Sequence, residues 1–145
     1  MAMLRTLTGL AVIAVIINAA MATTYTVGSP NGGWDTSTNL AQWAAAQNFT
    51  VGDSLAFSYA SNHDVVEVPK TDYDSCTSTN SIQTYSGGNT IIPLSSPGKR
   101  YFMCGTFGHC SQGMKVEIDT LAATTPPATA LAPSPHKLPD SVLPW

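Results

Sequence analysis

The sequence predicts an all-β domain, built as a small sandwich or barrel. Three observations predict it. Short runs rich in β-branched and aromatic residues recur along the middle of the chain. Turn residues separate these runs at short intervals. The region carrying the pattern, about Thr24 to Thr120 of 145 residues, has the size of a sandwich domain of roughly 100 residues.

The elements follow in chain order. Thr24-Tyr25-Thr26-Val27 alternates and ends at Gly28-Ser29-Pro30-Asn31-Gly32-Gly33. Asn39 to Gln47 breaks the β pattern, because Asn39 suits a helix cap and good helix formers follow it. Leu40, Trp43 and Ala44 fall at i, i+3 and i+4, so one helix face can pack on the sheet edge. Ser54 to Tyr59 alternates again, with Leu55, Phe57 and Tyr59 on one face. Val65, Val66 and Val68 form a run stopped by Pro69. A further turn of helix is expected around Thr71 to Cys76. Thr90-Ile91-Ile92 is stopped by Pro93, and Arg100 to Cys104 and Met114 to Ile118 complete the strands. Val51-Gly52-Asp53, Ser86 to Asn89 and Ser96-Pro97-Gly98 are the expected turns.

Both ends of the chain differ from this middle. Arg5 precedes an apolar run, Leu7 to Ile17, and Ala20-Met21-Ala22 has the small-x-small form of a cleavage site. The run is too short for a comfortable membrane span and reads as a secretion leader. The expected division is a leader over 1–22, a folded domain over 23–121 and a tail over 122–145. The tail is rich in Pro, Ala, Thr and Ser, a composition that cannot build a packed core. Cleavage would remove Arg5 and take the formal charge from −3 to −4. No basic patch is present, so nucleic acid is not an expected partner.

Cys104 to Met114 reads Cys-Gly-Thr-Phe-Gly-His-Cys-Ser-Gln-Gly-Met. Cys104, His109 and Met114 offer a thiolate, an imidazole and a thioether from one hairpin-length loop. His63 offers a second imidazole just before the Val-rich run. Two His, one Cys and a weak axial Met form the ligand set of a type 1 (blue) copper site. Cu(I) prefers soft sulfur and Cu(II) accepts imidazole, so this mixture suits both oxidation states. Taken singly, His63 reads as a surface residue and Met114 as core filler. Taken together, in this order and spacing, the four read as one site. Zinc is the competing metal, held by His63, Cys104, His109 and Cys110, but the paired Cys-x2-4-Cys spacing of such sites is absent.

Three cysteines in a secreted chain imply one disulfide and one remaining thiol. If Cys104 binds metal, Cys76 and Cys110 are left to pair. The alternative pairs Cys76 with Cys104 and leaves Cys110 free. Asn48-Phe49-Thr50 is an N-glycosylation sequon, which places a candidate glycan on Asn48.

The chain resembles the phytocyanins, the secreted plant branch of the cupredoxins. The likeness runs through Tyr25-Thr26-Val27-Gly28, Gly33-Trp34, Trp43-Ala44, Phe49 to Leu55, His63-Asp64-Val65, Tyr73 to Cys76, Tyr101 to Cys104 and Gly108-His109-Cys110. It implies a cupredoxin-like Greek-key β-sandwich with one or two short helices. It also implies a type 1 copper site at one end and a Cys76–Cys110 bridge beside it. Stellacyanin-like members of the family carry Gln where this chain has Met114, and the Met and the Pro-rich tail resemble the uclacyanins. Many relatives end in a hydrophobic glycolipid-anchor signal, whereas this tail holds no apolar run of that length. Ala-Pro and Ser-Pro pairs around Ala132 to Pro135 resemble arabinogalactan-type glycosylation sites.

The expected function is therefore one-electron transfer in the plant extracellular space, by a monomer with an unidentified small-molecule or protein redox partner. Association with the plasma membrane is the alternative location. A non-redox extracellular glycoprotein, engaging cell-wall components or a receptor, is the alternative function. An enzyme is not expected. Three His with no His-x-His pair cannot build an oxygen-reducing copper cluster, and no nucleophile has an evident base.

Overall fold

A computed structural model describes residues 21–123. Most of the expected leader, most of the expected tail and His136 lie outside the described residues. The elements in order are β1 (Thr24–Thr26), α1 (Leu40–Ala45), β2 (Phe49–Thr50), β3 (Ser54–Ser58), β4 (Val65–Val68), α2 (Lys70–Ser75), β5 (Gln83–Tyr85), β6 (Asn89–Pro93), β7 (Gly98–Met103) and β8 (Lys115–Leu121). They form two sheets. One has the order β1-β3-β6 and the other β2-β8-β7-β4-β5. The sandwich expected from the sequence is the fold observed.

Alternation explains how the sheets close. Leu55 and Phe57 of β3, Thr90 and Ile92 of β6, and Val116, Ile118 and Thr120 of β8 are buried, while their neighbours along each strand are not. Period-two burial of this kind packs one face of each sheet on the other. Trp34, Phe57 and Phe102 lie at the centre. The Trp34 and Phe57 rings meet edge to face at 5.0 Å, and Phe57 meets Phe102 at 5.6 Å.

Strand β4 is buried along its whole length. Val65 joins the main core, whereas Val66 and Val68 join a second cluster with Met103 and Cys110. Tyr73, Cys76 and Tyr101 cover that second cluster. Glu67 is buried too, and Arg100 neutralises it through paired contacts, Nε to Oε1 at 2.8 Å and Nη2 to Oε2 at 2.9 Å.

Helix α1 starts at the expected cap, where Asn39 Oδ1 accepts from the Gln42 amide at 3.0 Å. Helix α2 ends one residue before the expected Cys76, which adopts a left-handed φ of 51° as the cap. Two strands were not expected. β2 has only two residues, and β5 is polar and largely exposed, so neither carries a readable pattern. Pro93 also belongs to β6 instead of stopping it. β6 is an edge strand, where a residue without an N–H is tolerated. No helix among the described residues is long and apolar enough to cross a membrane.

Candidate metal centre

Register places the site. Met103, the last residue of β7, pairs with Lys115, the first of β8, and with Val66 near the start of β4. The residue after β7, the residue before β8 and the turn before β4 therefore meet at one end of the sandwich. Those positions are Cys104, Met114 and the segment holding His63. His109 lies in the turn between Cys104 and Met114.

Three of the four expected ligands come together. His63 Nδ1 lies 3.1 Å from His109 Nδ1, 3.9 Å from Cys104 Sγ, and His109 Nδ1 lies 3.6 Å from that sulfur. A triangle with those sides has its centre about 2.1 Å from each corner, close to the roughly 2.0–2.1 Å of metal–imidazole and 2.3 Å of metal–thiolate bonds. The donor set fits one type 1 copper ion. Cys104 is free and buried, and both imidazoles are half-buried. Met114 is fully buried where the chain enters β8. Its backbone is tied to two of the others: the Cys104 amide donates to the Met114 carbonyl at 3.0 Å, and the Met114 amide donates to the His109 carbonyl at 3.0 Å.

The loop is held from outside as well. Asp64 Oδ1 accepts from the Gly105 amide at 2.5 Å, and Thr106 Oγ1 donates to the Asn62 carbonyl at 2.8 Å. The His63 segment and the Cys104 loop are thus clasped on both sides of the donors. A Cβ on Gly105 would meet Asp64 at 3.0 Å and Val66 at 3.1 Å, so a larger residue there would push those side chains aside and loosen the clasp. Trp34 Nε1 donates to the Asp64 carbonyl at 2.7 Å, anchoring the same segment to the aromatic core. Asp64, Thr106 and Trp34 had no role in the sequence reading beyond their place in motifs. The signal available was an acid beside His63.

The disulfide joins Cys76 to Cys110, with Cα atoms 5.6 Å apart. It pins the residue after His109 to the end of α2. This pairing removes the Cys76–Cys104 alternative. It also removes the zinc set, since Cys110 has no free sulfur. Asn48 lies outside the centre, exposed between α1 and β2, with its carbonyl accepting from the Tyr25 hydroxyl at 2.9 Å.

A two-sheet sandwich with a His-Cys-His cluster in the loops at one end defines a protein of the cupredoxin class. The plastocyanin-like domain family matches residues 34–114. A blue copper protein of Pisum sativum is 50% identical over 113 residues, covering 75% of this chain and 59% of its own length. Uclacyanin-3 of Arabidopsis thaliana is 39% identical over 113 residues, covering 78% of this chain and 50% of its own. The chain thus spans between half and three-fifths of these two relatives. The structure of cucumber stellacyanin with Cu2+ superposes with a TM-score of 0.62 at 37% identity, over 70% of this chain and 97% of that one. The chain belongs to the phytocyanin family of blue copper proteins.

Proposed function

We propose that this protein is a one-electron carrier, exported from the plant cell, in which His63, Cys104, His109 and Met114 hold one copper ion. The triangle of nitrogen and sulfur donors carries the reading, because two imidazoles and one thiol already lie at bonding radius from one point. Bound there, copper supplies a reversible Cu(II)/Cu(I) couple that accepts both imidazole and sulfur.

The protein's own part is to keep the donors still. The Asp64–Gly105 and Thr106–Asn62 hydrogen bonds, the Met114 backbone bonds and the Cys76–Cys110 bridge all limit movement of the loop. Burial of Cys104 and Met114 keeps water from the sulfur side. The imidazoles, half-buried, are the donors nearest solvent. Phe107, two residues from His109 and fully exposed, offers an apolar contact beside that edge to a redox partner.

Copper titration of the full chain tests the centre. An intense blue thiolate charge-transfer band is expected, with loss of the band in Cys104→Ser. A wild-type protein that stays colourless with copper would overturn the assignment. Export rests on the leader-like segment and on the exposed sequon at Asn48. Expression in plant cells should yield a culture-medium product beginning at Thr23 and carrying a glycan removable from Asn48. Retention of residues 1–22 inside the cell would overturn that part alone.

A further inference from the structure

A second concavity lies away from the donor cluster, between the turn that follows β1 and helix α1. It has a volume of about 720 Å³ and shares no residue with the metal centre. Its construction follows from the sequence. Asn39, Gln42, Trp43 and Ala46 lie at i, i+3, i+4 and i+7, so they fall along one face of α1 and its caps. That face looks onto Pro30 and Asn31.

The chemistry of the lining is selective. It contains no Lys, Arg or His, so it offers no counter-charge to phosphate, nucleotide or acidic sugar. It contains too few apolar side chains for a lipid. It is rich in carboxamides, from Asn31, Gln42 and Gln47. Each carboxamide both donates and accepts, as does each hydroxyl of a sugar. Trp43 adds a flat aromatic ring and Pro30 a small apolar one, and the indole suits the C–H face of a pyranose.

The walls are also fixed in place. Trp43 Nε1 donates to the Ser29 carbonyl at 3.0 Å, joining the helix to the turn, and Gln47 Nε2 donates to the Trp43 carbonyl at 3.2 Å. Asp35 Oδ1 accepts four hydrogen bonds, from the amide and hydroxyl of Ser37 and of Thr38, at 2.8–2.9 Å. Its second oxygen makes no hydrogen bond among the described residues and can accept from a ligand. Burial opposes ionisation of Asp35, but those four bonds outweigh it and hold the carboxyl below its ordinary value of 3.8. The acceptor is therefore ionised throughout the neutral and mildly acidic range.

We propose that the cleft between the Ser29–Gly32 turn and α1 is a binding site for a neutral saccharide. Binding is independent of the metal centre and gives the carrier a means of attachment to polysaccharide.

NMR titration of the isotopically labelled full chain tests this. The neutral probes are cellotetraose, xylotetraose and mannotetraose, and the anionic ones tetragalacturonate and inorganic phosphate. At least one neutral probe should give saturable shifts at the Trp43 indole N–H and the Gln42 and Asn31 side-chain amides. The anionic probes should not. Loss of two hydrogen bonds in the Asn31→Ala, Gln42→Ala double variant should weaken binding by about tenfold. Both residues are exposed, so the fold and the copper spectrum should be unchanged in that variant. Absence of saturable shifts with every neutral probe, undiminished binding in the double variant, or preference for the anionic probes would each overturn the proposal.

Discussion

Asp64 shows how much of this site depends on one side chain that is not a ligand. Its carboxylate reaches the amide next to Cys104, and its carbonyl receives the indole of Trp34. Replacing Asp64 by Ala should free the Gly105 amide and let the two ligand segments separate. Supporting groups of this kind typically contribute about 10- to 100-fold in metal affinity. Competition titration should show a loss of that size in Asp64→Ala and a smaller one in Asp64→Asn, which keeps an acceptor. His63, Cys104 and His109, the three expected donors that the structure brings together, were readable in the sequence because two share one short loop and the third stands just before a Val-rich run. Asp64 was not, since its partner lies 41 residues away and an acid beside a histidine has no distinguishing pattern.

Strands with a hydrophobic face were legible, and strands without one were not. β3 and β8 alternate between core and solvent, so their patterns carry their structure. β5 pairs with β4 through Val65↔Tyr85, Val66↔Thr84 and Glu67↔Gln83, yet its own residues are polar. It exists because β4 offers a free edge, which local sequence does not encode. Pro93 illustrates the same limit. Its stop signal is overridden because the strand it sits in has only one partner. At this scale the bridge between α2 and the ligand loop makes a separate prediction. It closes a sequence separation of 34, and removing it as Cys76→Ala with Cys110→Ala should cost roughly 2–4 kcal/mol of stability. Urea unfolding checks this, with the midpoint expected to fall and the slope to rise as the unbridged denatured chain expands.

For the whole domain, acid stability is set in part by Asp53. It is buried and joins three segments. Oδ1 accepts from the Thr23 amide at 2.9 Å, and Oδ2 accepts from the Thr50 amide at 2.9 Å and its hydroxyl at 3.1 Å. Burial raises the carboxyl's proton affinity, but the hydrogen bonds together outweigh this and leave it below its ordinary 3.8. The folded state therefore releases this proton more readily than the unfolded chain. Its contribution is complete above 3.8 and is lost as pH falls through the lower folded value. The unfolding midpoint should drop steeply below pH 3.8 in the wild type. Asp53→Asn should be less stable at neutral pH and less sensitive to acid in that window. Equal acid slopes in the two proteins would show that Asp53 does not contribute.

The order in which the strands pair has a consequence for biosynthesis. In the sheet β2-β8-β7-β4-β5, the second and third positions belong to the last two strands among the described residues. A nascent chain ending before Gly98 could pair β4 with β5, but β2 would have no neighbour, because Phe49 and Thr50 join only Thr120 and Leu121. The larger sheet is therefore assembled from its end backwards, after nearly the whole domain has emerged. Cys104, His109 and Met114 adjoin those same final strands. Copper has no finished cradle to enter until synthesis of the domain is all but over.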